Sequence, residues 1–341
     1  MKINDKQYRT IWMEGNTIRT IDQNQLPEKF KIVRIDSTEH VANAIKTMMI
    51  RGAPAIGAMG AYGLAQAINQ MNEPNSEKIE NVRNNLFQTR PTAYDLAHGL
   101  EHVMKAALLE TEPQKMKQAA LESAQAYADA SVEGCRKIGE FGNELINDGD
   151  RLLTHCNAGA LATVDYGTAL APMRIAHNEG KSIFVYVDET RPRLQGAKLT
   201  AFELHEEGID HAIIADNAAG FYMSQGKVDM VIVGTDRVAA NGDAANKIGT
   251  YEKAVVAREN GIPVYIAAPL SSIDFTCPTG KDIPIEERDQ NEVLYVNGTR
   301  VASKGSTAFN PAFDVTPAKY ITGIITEKGI FKPTELYKLK N

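Results

Sequence analysis

Leu152-Leu153-Thr154-His155-Cys156-Asn157-Ala158-Gly159 is a short apolar run that stops abruptly in polar residues and a glycine. The pattern recurs down the chain, with runs rich in Ile, Val and Leu at Ile183–Val187, Ala212–Ala215, Met230–Val233 and Val264–Ala267. Helical patterns lie between them, at Ala160–Gly180, Thr200–Gly208 and Asn246–Gly261. Such alternation, with near-continuous apolar strands, is the signature of a parallel sheet covered by helices on both faces. Residues 151–341 therefore read as a Rossmann-like α/β domain.

Upstream the rhythm differs. After short β-like runs between Tyr8 and Leu26, apolar residues at three- and four-residue spacing predict helices over Thr38–Met49, Ala55–Met71, Thr92–Leu109 and Gln114–Ile146. Pro54 and Pro91 stand where helices begin, and Asn147-Asp148-Gly149-Asp150 breaks the last one. Residues 1–150 thus read as a mainly helical N-terminal domain with a short β segment. The fold class is α/β in two domains, which suits 341 residues of ordinary globular composition, 43% hydrophobic and 23% charged.

Charge and composition exclude several functions. A net charge of −6 argues against non-specific nucleic-acid binding, which needs an excess of Lys and Arg. The opening Met1-Lys2-Ile3-Asn4-Asp5 lacks a signal peptide's apolar run, and no stretch approaches the roughly 18 apolar residues of a membrane span. Cys135, Cys156 and Cys277 are spaced too widely for a disulfide framework or a zinc site. These features predict a cytoplasmic protein.

In open parallel sheets the ligand site lies beyond the carboxyl ends of the strands. Those ends collect Cys156, Asp188, Asp216 and Asp236. Cys156 precedes a Gly-rich turn expected to open a helix, whose dipole would favour a thiolate. Cys135 and Cys277 lack that setting. Asp236 follows the apolar Met230–Val233, whose burial would raise its pKa toward the range of a general acid; position alone does not rank it above Asp188 and Asp216. Arg51-Gly52-Ala53-Pro54 places a guanidinium and backbone N–H groups at a helix mouth, an arrangement that binds oxyanions. Arg90-Pro91-Thr92 repeats it, and Asn246-Lys247 is expected to open a third helix. Together they point to a phosphorylated ligand. Asp95, His98 and His102 share a helical stripe, but with no further ligand cluster they are set aside as a metal site, and no metal is expected. The turn Cys156-Asn157-Ala158-Gly159-Ala160-Leu161 lacks the G-x-G-x-x-G spacing of a dinucleotide-dependent dehydrogenase.

Taken together, Ile50–Gly57, Arg90–Ala93, Leu153–Gly159, Val187–Pro192, Leu194–Ala197, Asp216–Ala219, Asp236–Tyr251 and Asn310–Pro317 resemble, nearly end to end, the 5-methylthioribose-1-phosphate isomerase family. That family shares a superfamily with ribose-1,5-bisphosphate isomerases and with regulatory subunits of a translation-initiation exchange factor. The resemblance implies an aldose–ketose isomerase, homodimeric and without a cofactor, acting on a small phosphorylated sugar. It implies that Cys156 and Asp236 are the catalytic pair, and that Arg51, Gly52, Ala53, Arg90, Gln195, Asn246 and Lys247 bind substrate. It also implies Asn at position 95 and Ala at 235, where this chain has Asp95 and Thr235. Those departures raise 5-deoxyribose 1-phosphate as an alternative substrate. A non-catalytic regulatory subunit is the rival from another class, and retention of Cys156 and Asp236 speaks against it.

Overall fold

The computed structural model describes residues 1–91 and 93–340. Near the start, Ile11–Glu14, Thr17–Ile21 and Ile32–Ile35 form an antiparallel three-stranded sheet. Four helices follow that matter for the site or its support: Thr38–Lys46, α1 (Ala53–Gln70), α2 (Tyr94–Leu108) and α3 (Pro113–Asn143). Helix α1 is buried on nearly every side because its residues are Ala, Gly, Ile, Met and Leu almost throughout. Glycine lets α2 pack directly on it, since a Cβ at Gly99 would lie 2.3 Å from the Gly57 carbonyl oxygen. The helix expected from Thr92 begins at Tyr94, and Thr92 itself lies outside the described residues.

The second half is built on a seven-stranded sheet. Its strands include β1 (Arg151–Thr154), β2 (Phe184–Asp188), β3 (His211–Ile214) and β4 (Met230–Val233). A small four-stranded sheet above it contains β5 (Arg237–Ala239), β6 (Ala244–Lys247) and, later in the chain, β8 (Phe313–Thr316). Between these lies β7 (Val264–Ala267) of the main sheet, completed by β9 (Gly323–Thr326) and β10 (Gly329–Phe331). The order is β10-β9-β7-β4-β1-β2-β3, parallel except for the β9–β10 pair. The sequence therefore predicts the parallel α/β sheet correctly. All four residues of β4 are buried, as expected for a central strand covered on both faces.

Three helical expectations in this half differ from the structure. Ala160–Gly180 is not one helix: a single 3₁₀ turn, Ala160–Ala162, is followed by a loop, and helix α4 spans Leu170–Asn178. Thr200–Gly208 begins instead with a π-helical turn over Gly196–Thr200, before an α-helix at Ala201–Glu207. Asn246–Gly261 splits into strand β6 and helix α5 (Thr250–Glu259), because β6 pairs antiparallel with β8, matching Asn246 to Asp314 and Lys247 to Phe313. The partner strand lies too far along the sequence to leave a local signal.

Buried residues between Ile11 and Ala128, with Val164, form one core, while two further cores cover the faces of the main sheet. Helix α3 contributes Ala120, Ala124 and Ala128 to the first and Ile138 to one of the others. Among the described residues no helix is long and apolar enough to cross a membrane.

Candidate functional site

The carboxyl ends of β1 and β4, the start of α1 and the end of β6 meet at one cavity. Arg51, Gly52, Ala53, Arg90, Cys156, Gln195, Asp236, Asn246 and Lys247, the nine residues singled out in the sequence, all line it.

Gly52 caps α1 with φ 94°, a conformation glycine adopts without strain, and Pro54 occupies the first turn, where a missing N–H costs nothing. A Cβ at Gly52 would lie 2.4 Å from the Ala162 carbonyl oxygen, so only glycine lets the helix mouth approach the loop after β1. Arg51 closes that junction: its two terminal nitrogens donate to Asn157 Oδ1 and to the Asn157 carbonyl oxygen, both at 2.6 Å. Burial pulls the Arg51 pKa down, and the neighbouring Cys156 and Asp236 oppose that shift.

Cys156 stands on the loop after β1 with φ 68°, the left-handed region that costs a non-glycine residue about 1–3 kcal/mol. Its neighbours hold it there. The Cys156 N–H donates to Thr190 Oγ1 at 2.8 Å, and its carbonyl accepts from Thr200 Oγ1 at 2.7 Å. Next along, the Asn157 amide donates to Glu203 Oε1 at 2.9 Å, and the N–H groups of Ala160 and Leu161 donate to the same buried carboxylate. These bonds replace the helix expected after Cys156. The dipole argument for its thiolate therefore fails, and the nearby positive charges are the side chains of Arg51 and Lys247.

Burial raises the Asp236 pKa above the usual carboxylate range, against the pull of Lys247, Arg90 and Arg51. The structure also separates Asp236 from Asp188 and Asp216. Asp216 accepts from the N–H groups of Thr190 and Arg191, and Asp188 pairs with His155; neither lines the cavity.

Lys247 is 6% exposed and donates to the Ala312 carbonyl oxygen at 2.7 Å, with its ammonium 4.7 Å from the Phe313 ring centre. Burial lowers its pKa, opposed by Cys156 and Asp236. Asn246 donates to Thr250 Oγ1. Neither residue opens a helix, contrary to expectation, because both lie on strand β6. Arg90 faces Glu286 at 3.4 Å. Among the described residues the buried Gln195 side-chain oxygen has no hydrogen-bond partner, so it can accept from a ligand. Two departures from the family pattern also find places: Thr235 lines the cavity and donates to the Ala245 carbonyl oxygen, while Asp95 lies buried beneath it against Ser272.

Sequence reasoning missed Arg288, Met48 and Phe313, which also line the cavity. Arg288 sits in Glu286-Glu287-Arg288-Asp289, a charge run that reads as solvated surface. Its pairing with Glu292 at 2.8 Å, four residues on, carries no signal of a pocket. Phe313 lies within the quoted Asn310–Pro317 stretch, but nothing local marks it as a wall.

A thiol, a carboxyl whose pKa burial raises and at least three cations around one cavity can bind an anion and move protons beside it. The sequence pattern of the Initiation factor 2 subunit family matches residues 49–333. The chain is 50% identical to the methylthioribose-1-phosphate isomerase of Carboxydothermus hydrogenoformans, over 95% of this chain and 96% of that protein. To that of Methylorubrum extorquens it is 48% identical, over 98% and 96%. Among solved structures, 5-methylthioribose 1-phosphate isomerase from Pyrococcus horikoshii superposes with TM-score 0.91 at 45% identity, over 98% of this chain and 95% of that one. A chain from A. fulgidus described as translation initiation factor eIF-2B, subunit delta, matches with TM-score 0.87 at 42% identity, over 98% and 100%. With curated isomerases matching at half identity along nearly its whole length, this chain belongs to the methylthioribose-1-phosphate isomerase family, within the Initiation factor 2 subunit family.

Proposed function

We propose that this protein is an aldose–ketose isomerase that converts 5-methylthioribose 1-phosphate into 5-methylthioribulose 1-phosphate. The observation that carries this reading is the placement of Cys156 and Asp236 in one cavity with Arg51, Arg90 and Lys247. Phosphate on the anomeric oxygen prevents simple opening to a free aldehyde, so ring opening needs an acid. Asp236, whose pKa burial raises, serves as that acid at the ring oxygen. Cys156 as thiolate takes the C2 proton and returns it to C1, while the 2-hydroxyl proton passes back to Asp236, leaving the carbonyl at C2 and the ring oxygen as a free hydroxyl with no net redox change. The phosphate is held by Arg51, by the backbone N–H groups of Gly52 and Ala53 at the mouth of α1, and by Arg90, Asn246 and Lys247, while Gln195 binds elsewhere on the substrate. We further propose a cytoplasmic homodimer that needs no cofactor.

A side pocket beside Asp236 bears on the C5 group. It is walled by Ile56, Tyr94, Ile283, Pro284, Ile285 and Phe313, with Arg90, Arg237 and Glu286 also on its lining. The apolar part of that wall suits a methylthio or methyl substituent. The same wall keeps 5-deoxyribose 1-phosphate as the second reading.

The test is a side-by-side NMR assay of kcat/KM for ketose formation from 5-methylthioribose 1-phosphate and 5-deoxyribose 1-phosphate. A strong preference for the thioether is the expected result, with turnover lost in Cys156→Ser and Asp236→Asn while ligand binding is largely kept. Equal or better use of the deoxy sugar would move the enzyme to 5-deoxyribose disposal. Absence of ketose from either sugar would defeat the isomerase reading and favour a regulatory subunit.

A further inference from the structure

His155, the residue before Cys156, is 1% exposed and does not line the cavity. Its Nδ1 lies 2.8 Å from Asp188 Oδ2, and its Nε2 lies 2.8 Å from the Ile248 carbonyl oxygen. A carbonyl oxygen only accepts, so Nε2 carries a proton and donates. Nδ1 faces a carboxylate oxygen, and two lone pairs would repel at that distance, so a second proton lies between His155 and Asp188. Charged groups surround the pair. Lys253 from α5 brings its Nζ to 3.6 Å from Asp188 Oδ2, and Asp216 after β3 brings an oxygen to 3.9 Å from Nδ1. Asp314 of β8 faces the ring, and Glu252 of α5 pairs with Lys253 at 2.5 Å.

The two hydrogen bonds join segments that both reach the cavity. Cys156 follows His155 in the chain, and Ile248 follows Lys247. The threonine bonds already described hold the Cys156 peptide, but neither links it to the strand that carries Lys247. His155 makes that link. Cys156 also needs it, because a left-handed non-glycine residue persists only where its surroundings over-determine it.

We propose that His155 is a positioning residue: bonded to Asp188 on one side and to the Ile248 carbonyl on the other, it fixes Cys156 in register with Lys247 across the cavity. His155, Asp188 and Asp216 do place ligand atoms within 4.8 Å of one another, a spacing a cation could use. With both ring nitrogens committed and the Lys253 ammonium beside the carboxylate, the cluster works as a clamp and not as a metal site. The inference rests on the isomerase reading for its kinetic consequence alone.

Two variants of the full-length protein cut the clamp on opposite sides. The longer amide of His155→Gln keeps a donor toward Ile248, and the shorter amide of His155→Asn keeps one toward Asp188. Kinetics with 5-methylthioribose 1-phosphate are measured beside the rate of Cys156 alkylation by iodoacetamide. Cys135 and Cys277 are buried, so the half-exposed Cys156 dominates that reaction. The expected result is KM within about 3-fold of wild type, kcat lower by roughly 30-fold or more, and a Cys156 alkylation rate changed about 5-fold in each variant. Wild-type kcat and alkylation in both variants would overturn the clamp. So would losses that merely follow the folded fraction by circular dichroism. If wild type turns over neither sugar, the isomerase reading fails and the alkylation rates alone decide the clamp. Should neither variant fold, nitrogen-15 NMR of histidine-labelled wild type decides: a proton on Nε2 of His155 supports the clamp, and a bare Nε2 overturns it.

Discussion

Asp95 is 1% exposed and accepts a long hydrogen bond from Ser272 Oγ at 3.4 Å, and among the described residues its Oδ1 has no partner. Burial pushes its pKa up to about 7, the two neighbouring serines oppose that, and the nearby Asp236 carboxyl adds to it. The direction of the consequence follows from linkage. Below the ordinary carboxylate range, folded and unfolded chains both carry the proton, and Asp95 costs nothing extra. Between there and about pH 7 the unfolded chain releases its proton while the folded chain keeps it, so stability falls as pH rises. Above pH 7 both are ionised and the full penalty remains, on the order of 4 kcal/mol for a shift of this size. Asn at this position keeps an acceptor for Ser272 and has no proton to lose. Asp95→Asn should therefore gain on wild type steadily from pH 4.5 to pH 7 in thermal unfolding and then hold its lead. Parallel stability curves for the two proteins would show that Asp95 does not titrate as its burial implies.

At the scale of elements, the mouth of α1 depends on one glycine. An alanine at position 52 would have to adopt φ 94° and place its Cβ 2.4 Å from the Ala162 carbonyl oxygen. Gly52→Ala should cost about 1–3 kcal/mol from backbone strain, and more from the displaced loop. Because that loop carries Cys156 and Asn157, KM should rise as stability falls, measurable by thermal melting and steady-state kinetics together. An unchanged KM beside a lowered melting temperature would separate the helix mouth from the ligand. This junction was half legible in the sequence. Arg51-Gly52-Ala53-Pro54 announces an anion-binding helix start through its own residue types, and β1, β2 and β4 announce themselves by apolar runs with no polar interruption. The segments misread as helix lie where distant groups take over local hydrogen bonds. Glu203 captures the N–H groups of Ala160 and Leu161, and β8 captures β6 from more than sixty residues away. Arg288 was invisible for the same reason, since only the tertiary fold turns it from a charge run into a wall.

For the whole molecule, the cavity is a joint between two sets of packed elements. Arg51 and Gly52 come from the helical half, whereas Cys156, Asp236 and Lys247 come from the sheet half. Helix α3 already ties the halves together by feeding Ala128 into one core and Ile138 into another. A ligand seated on Arg51 and Lys247 at once adds a second tie, and it exists only when both halves are folded. Ligand present at 100 times its Kd should therefore stabilise the entire chain by about 2.7 kcal/mol, in one cooperative transition. Calorimetry of the protein with 5-methylthioribulose 1-phosphate checks this: a single peak should move upward without splitting. In Arg51→Ala the bridge is cut on the helical side, and the same ligand concentration should give a much smaller shift. The loss of the Asn157 bonds also lowers the melting temperature of that variant without ligand, so the informative quantity is the ligand-induced shift within each protein. Two peaks of which only one responds would mean that the halves unfold independently and that the ligand is bound by one of them alone.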